Sequence, residues 1–232
     1  METVKKGTFY AVGVGPGDPE LITQKAVRIL THCGVIAAPV TAGGQMLAWD
    51  IAAQAVDLSG KQRLALRFSM SRQEGARRAA HLTAANAVEE HLARGTDVAM
   101  LNLGDVSLYA TASYLVELLR ARGYETVMVP GVPSFCAVAA RLGVSLTQGD
   151  GAVHILPGGS AEEALSWPGT KILMKSGREL PEVLTLLRER GLLDRSRLVK
   201  NCGLPGEEVW DDLSHAAPEG DAGYFATLIV KE

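Results

Sequence analysis

The chain has 232 residues, 47% hydrophobic and 5% aromatic, with 23 basic against 26 acidic side chains and a formal charge of -3. That length can bury the core of one large domain or two modest ones, and the near-balanced charge carries no nucleic-acid footprint. Cys33, Cys136 and Cys202 are odd in number and in no metal-ligand spacing, so they read as reduced thiols of a cytoplasmic protein, not a disulfide frame or metal centre.

The first residues, METVKKG, lead straight into a strand without the apolar stretch of a secretory leader. No apolar run approaches the ~18 residues of a membrane span, so no membrane partner is expected. Thr8–Val14 is predicted as that strand, followed by a glycine loop, Gly15-Pro16-Gly17-Asp18-Pro19. A helix over Glu20–Thr31 follows, with Asp18 as N-cap and Pro19 at its first position. Gly34–Ala38 and Arg63–Phe68 read as strands, Gln45–Ala55 and Gln73–Arg94 as helices. The apolar strand Val98–Leu101 then stops at Gly104-Asp105, and after a further helix Thr126–Val129 stops at Pro130-Gly131. Repeated βα alternation predicts a mostly parallel sheet with right-handed crossovers.

Ser134–Leu142 is predicted helical, and the polar stretch SLTQGDG (Ser145–Gly151) interrupts the pattern. A domain boundary is placed there, giving an N-terminal domain 1–146 and a C-terminal domain 147–232. The second begins with strand Ala152–Leu156, helix Ala161–Leu165, strand Thr170–Met174, helix Pro181–Arg190 and strand Arg197–Asn201. Two more strands, near Glu208–Leu213 and Tyr224–Lys231, have no helix between them and should be antiparallel members of a mixed sheet. The expected fold class is α/β: two α/β domains with a cofactor cleft between them, since such clefts favour small molecules.

The turns at Gly104-Asp105 and Pro130-Gly131 are expected at the carboxyl ends of neighbouring strands, where open α/β sheets bind ligands. Gly104 and Gly131 would let the backbone come close to a ligand, and Asp105 has no reason to end a buried strand unless its carboxylate has a partner. GVGPGDPELIT (Gly13–Thr23) looks like a phosphate fingerprint but lacks the Lys-Ser/Thr of a P-loop, and Asp18-Pro19 at a helix start opposes an anion. Between Lys61 and Arg78 lie Lys61, Arg63, Arg67, Arg72, Arg77 and Arg78 against one acid, Glu74. They form either a solvated face or a carboxylate-binding rim. His32, Tyr109, Tyr114 and His154 read as packing or surface groups.

Four segments together, GVGPGDPELIT, LNLGDVSLYAT, VPGVPSFCAVAARLG and ILMKSGRE, resemble the S-adenosylmethionine-dependent tetrapyrrole methyltransferases in order and spacing, from Phe9 to Glu232. The segment from Val129 and the stretch RFSMSR (Arg67–Arg72) look most like the members that methylate C20 of precorrin-2 or its cobalt complex in cobalamin synthesis. The resemblance implies S-adenosylmethionine as cofactor, a tetrapyrrole as substrate and a homodimer. It implies cofactor contacts at Leu103, Gly104, Asp105 and Leu108, at Pro133, Ser134 and Phe135, and at Met174, Cys202, Ala226 and Thr227, with Pro16 facing the reacting methyl. The family's commoner Gly-Asp-Pro is Gly-Asp-Val here, at Val106. Arg67 and Arg72 are the expected substrate contacts, with Lys175 and Arg178 as a second option. No catalytic base is identified: Asp18 serves either as cap or as base. Two other readings stay open, a sibling enzyme acting elsewhere on the ring and a non-enzymatic metabolite-binding module.

Overall fold

Five short segments, β1 (Phe9–Gly13), β2 (Val35–Pro39), β3 (Gln62–Leu66), β4 (Val98–Asn102) and β5 (Thr126–Val129), pair in a wholly parallel sheet of order β3-β2-β4-β1-β5. The computed structural model that defines it describes residues 5–69, 71, 73–220 and 222–232. The connections include helices α1 (Gln24–His32), α2 (Leu47–Ala55), α3 (Glu74–Leu92) and α4 (Ala112–Ala121). β2 and β4 read as unbroken apolar runs because a parallel strand inside a sheet is covered on both faces. Phe9, Val98 and Met100 of the sheet are fully buried with Val88 and Leu92 of α3 and Leu115 and Leu119 of α4.

Two expectations are corrected here. β4 and β5 are not neighbours: β1 lies between them, with Phe9 opposite Val98 on one side and Thr126 on the other. Each crossover needs room for its helix, and α4 carries the chain past β1 instead of beside β4. The connection leaving β1 runs towards β2 and the one leaving β4 runs the other way to β5, so the reversal that marks a ligand crevice falls between β1 and β4. The first helix also starts later than expected. Asp18 caps a single 3-10 turn, Pro19–Leu21, and Thr23 caps α1 by accepting a hydrogen bond from the Ala26 amide at 3.2 Å.

The chain divides between Pro133 and Ser134, earlier than the boundary placed after residue 146. The reason is α5 (Ser134–Leu142), whose Val138 and Ala139 are buried with Val199 and Ile229 of the second sheet. An apolar helix face does not declare in advance which sheet it will cover. That sheet contains β6 (Val153–Pro157), β7 (Thr170–Met174), β8 (Ser196–Lys200), β9 (Glu208–Trp210) and β10 (Ala226–Val230), in order β6-β7-β10-β8-β9. β6 and β7 are parallel, whereas β10 is antiparallel to both β7 and β8, and β9 to β8. The remaining helices are α6 (Ala161–Ala164) and α7 (Leu180–Glu189). Alternation puts Leu198, Leu228 and Val230 against Leu180, Val183 and Leu187 of α7, and leaves Val199 and Ile229 for α5.

Candidate functional site

At the carboxyl edge of the first sheet the chain is stitched to itself. The Val14 amide donates to the Asn102 carbonyl at 3.0 Å, and the Gly104 amide to the Gly15 carbonyl at 2.8 Å. Gly104 has φ +73°, a left-handed conformation that few other residues adopt. A Cβ at residue 131 would lie 2.3 Å from the Gly104 carbonyl oxygen and 2.9 Å from the Gly13 Cα. Glycine at 131 is therefore required by the stacking of three turns against one another.

Asp105 has its partner in that stack. One carboxylate oxygen accepts from the Gly131 amide at 2.9 Å, the other from the Ser107 amide at 2.8 Å and from the Ser107 hydroxyl. Burial pushes the Asp105 carboxyl up, but hydrogen bonds from Ser107 and from the Gly131 and Val106 amides together outweigh it and hold the group below the usual carboxylate range. The ionised side chain thus ties the turn beyond β4 to the turn beyond β5. Asn102, buried at the end of β4, lies within the motif LNLGDVSLYAT but is not among its expected site residues; its carboxamide donates to the carbonyls of Leu103 at 2.8 Å and Asp105 at 3.1 Å. Its signal in the sequence is a polar residue closing the apolar run VAML. Of the expected cofactor contacts, Pro16 and Gly104 are buried, while Leu103, Asp105, Leu108 and Pro133 are half-buried.

Residues 13–19, 103–107 and 130–134 contain two carboxylates, Asp18 and Asp105, and no basic side chain. The Gly104 and Gly131 amides are already engaged within the chain. An edge of this kind offers no nest for a phosphate. Apolar walls and carbonyl oxygens suit a sulfonium cofactor, so these residues fit the group implied by the resemblance.

The second sheet has its own edge. Met174 ends β7 directly opposite Thr227, Ala226 lies opposite Lys200, and the Asn201 amide donates to the Phe225 carbonyl at 3.1 Å. Met174, Cys202, Ala226 and Thr227 therefore share one edge, although Cys202 packs partly against the Val199–Ile229 cluster. Ser134 and Phe135 open α5 and are half-buried. Lys175 and Asn201, the residues immediately after β7 and β8, have φ +56° and +52°. Neither is glycine, and strain of this kind persists where surrounding structure enforces it. A Cβ at Gly177 would lie 1.8 Å from the Gly223 carbonyl oxygen, and one at Gly158 2.5 Å from the Ser176 Cβ. Lys175 Nζ stands 5.4 Å above the Tyr224 ring, and Arg178 is exposed.

Arg67 is exposed just beyond β3, and Arg72 lies outside the described residues. Within the same basic stretch, Lys61 donates to the Thr31 carbonyl and Arg63 lies over the Trp49 ring at 5.2 Å. Asp18 accepts from the Glu20 amide at 2.8 Å, the geometry of a cap. His32 and His154 contact the carbonyls of Arg28 and Pro168, and Tyr114 stacks on His81 with ring centroids 4.3 Å apart. Burial, with the Asp97 carboxylate nearby, pushes the Cys33 thiol up to about 12, which disfavours the thiolate form.

The family model of the tetrapyrrole (corrin/porphyrin) methylases matches residues 8–217. The chain is 30% identical over 233 residues to a cobalt-precorrin-2 C(20)-methyltransferase of Salmonella typhimurium, covering 97% of each chain. It is 31% identical over 244 residues to a precorrin-2 C(20)-methyltransferase of Sinorhizobium sp., covering 99% of this chain and 97% of the relative. Its fold is similar to that of the uroporphyrin-III C-methyl transferase of Thermus thermophilus, solved with S-adenyl homocysteine, at a TM-score of 0.68, 20% identity and coverage of 97% and 98%. With a family match that runs through the whole first sheet and well into the second, the chain belongs to the tetrapyrrole methylases.

Proposed function

We propose that this chain transfers a methyl group from S-adenosylmethionine to C20 of precorrin-2 or of its cobalt complex, a step in making the corrin ring of cobalamin. The observation that carries the reading is end-to-end similarity to two relatives named for that position, one on the cobalt-containing and one on the metal-free acceptor. The carboxyl edge of the first sheet supports it, because it suits a cationic cofactor and offers nothing to a phosphate.

When bound, the cofactor supplies an electrophilic methyl group on a sulfonium. The contacts proposed for it are Pro16, Leu103, Gly104, Asp105, Leu108 and Pro133 in the first unit, and Ser134, Phe135, Met174, Cys202, Ala226 and Thr227 in the second. The apolar side chains among them exclude water and do not over-stabilise a cation before it reacts. Asp105 acts by holding two turns in register, which keeps the surrounding walls in place. Arg67, and Arg72 with it, would receive carboxylates of the tetrapyrrole. A cytoplasmic setting is supported by three free thiols, and a homodimer by the family resemblance. No described helix is long and apolar enough to cross a membrane.

The test is product analysis with S-adenosylmethionine labelled with carbon-13 in its methyl group, offered with precorrin-2 and with cobalt-precorrin-2. A product one methyl heavier, with the label at C20 by NMR, is expected from at least one acceptor. Label at another ring carbon would make the chain a sibling enzyme. No turnover and no binding of S-adenosylhomocysteine by calorimetry would overturn the enzymatic reading.

A further inference from the structure

The face of the second sheet that α5 covers changes character along its length. At one end Val199 and Ile229 are fully buried under Val138 and Ala139. Two residues further, Arg197 lies opposite Ile229, and the pairing of β8 with β10 continues beyond the strands through the Lys231 amide, which donates to the Arg195 carbonyl at 2.9 Å. Directly opposed residues of an antiparallel pair share a face. Arg195, Arg197 and Lys231 are thereby brought together where α5 has already ended.

These three cations line a recess of about 340 Å³, at the small end of the range for ligand pockets. Its other polar walls are Ser145, Gln148 and Asp194. Like charges facing each other across a strand pair are destabilising, and here they are only partly relieved. Lys231 Nζ donates to the carbonyls of Ser145 at 2.7 Å and Leu146 at 3.1 Å. Asp194 is the one acid in the lining, and Asp212 feels Arg197 weakly, behind Ser214 and His215. Among the described residues neither Arg195 nor Arg197 forms a salt bridge. The recess is also remote from the edge that carries Ala226: Lys231 is five residue steps along the strand from it, roughly 17 Å.

We propose that this recess is a binding site for a small, multiply charged oxyanion of the phosphate or polycarboxylate kind, separate from the cofactor edge. The arginine forks supply directional donors to such a group. An anion seated there would remove the mutual repulsion of the three cations and bind the segment around Ser145 and Gln148 to the start of β8. The inference stands independently of the methyltransferase reading.

Calorimetric titration of the full chain at low ionic strength with inorganic phosphate, and separately with citrate, tests the site. Saturable binding of at least one probe is expected, and which probe binds separates a phosphate from a polycarboxylate ligand. The double variant Arg195→Gln/Arg197→Gln should bind about tenfold or more weakly. Asp194→Asn, which removes the competing acid, should bind more tightly, a gain that damaged folding cannot mimic. Affinity for S-adenosylhomocysteine should be the same in all three proteins. Absence of saturable binding of either probe, undiminished binding by the double variant, or weaker binding by Asp194→Asn would overturn the proposal.

Discussion

The two sheets each end in a cluster of turns packed backbone against backbone, and they hold that packing by different means. In the first, Gly13, Gly104 and Gly131 stack, and the ionised Asp105 pins the stack through the Gly131 amide. In the second, Gly177 meets Gly223 and Gly158 meets Ser176, and the neighbouring Lys175 and Asn201 carry left-handed backbone. One cluster relies on a charge-assisted tether, the other on sterics and local strain. The difference predicts where each is vulnerable: the first to loss of a carboxylate, the second chiefly to added volume.

The largest effect is expected at Gly177. Gly177→Ala sets a methyl group against the Gly223 backbone, which cannot swing aside as a side-chain tip would, and should cost more than about 4 kcal/mol or prevent folding. Urea denaturation, or soluble yield if the variant does not fold, measures it. Gly131→Ala makes the corresponding clash in the first cluster and should cost about 3 kcal/mol. It should also weaken S-adenosylhomocysteine binding by calorimetry. If Gly177→Ala is no more damaging than Gly131→Ala, the steric distinction between the clusters fails.

Asp105→Asn keeps the shape and removes the charge, and should cost about 2 kcal/mol by loss of charge-assisted hydrogen bonds. The pH dependence has a definite sign. The folded-state pKa of Asp105 lies below its unfolded value, so its stabilisation is fully present above the unfolded pKa of about 3.9 and is lost as pH falls through the lower folded value. Denaturation curves collected downwards from about pH 5 should therefore converge for the wild type and Asp105→Asn. Curves that stay parallel would mean that the carboxylate is not the tether.

The smallest effect is expected next door to a large one. Gly159 has open space where a Cβ would go, unlike its neighbour Gly158. Gly159→Ala should change stability by no more than about 0.5 kcal/mol in either direction. A thermal melt that drops as far as that of Gly158→Ala would mean that the second cluster is governed by backbone freedom and not by close contact.

Much of this was legible in the residues. The polar Asp105 after a buried apolar strand demanded a partner, and one exists, though its identity as the Gly131 amide depends on a chain segment 26 residues away. The strands without an intervening helix, Glu208–Trp210 and Ala226–Val230, both join the mixed sheet antiparallel to β8, one on each side of it. The position of β1 between β4 and β5 was not legible, nor was the attachment of α5 to the second sheet. Apolar runs of equal length satisfy several strand orders, and the helix pattern is the same whichever sheet lies beneath.

Local sterics and the spacing of apolar side chains are written into the sequence itself: two α/β units, a parallel and a mixed sheet, and, in the first unit, glycine turns bare of basic residues. Only the tertiary structure decided which turns touch, that Gly131 serves the chain's own backbone, and that Lys231 converges with the distant Arg195 and Arg197 on one recess. Such matters depend on which distant segments exclude water together, and no window of neighbouring residues contains that choice.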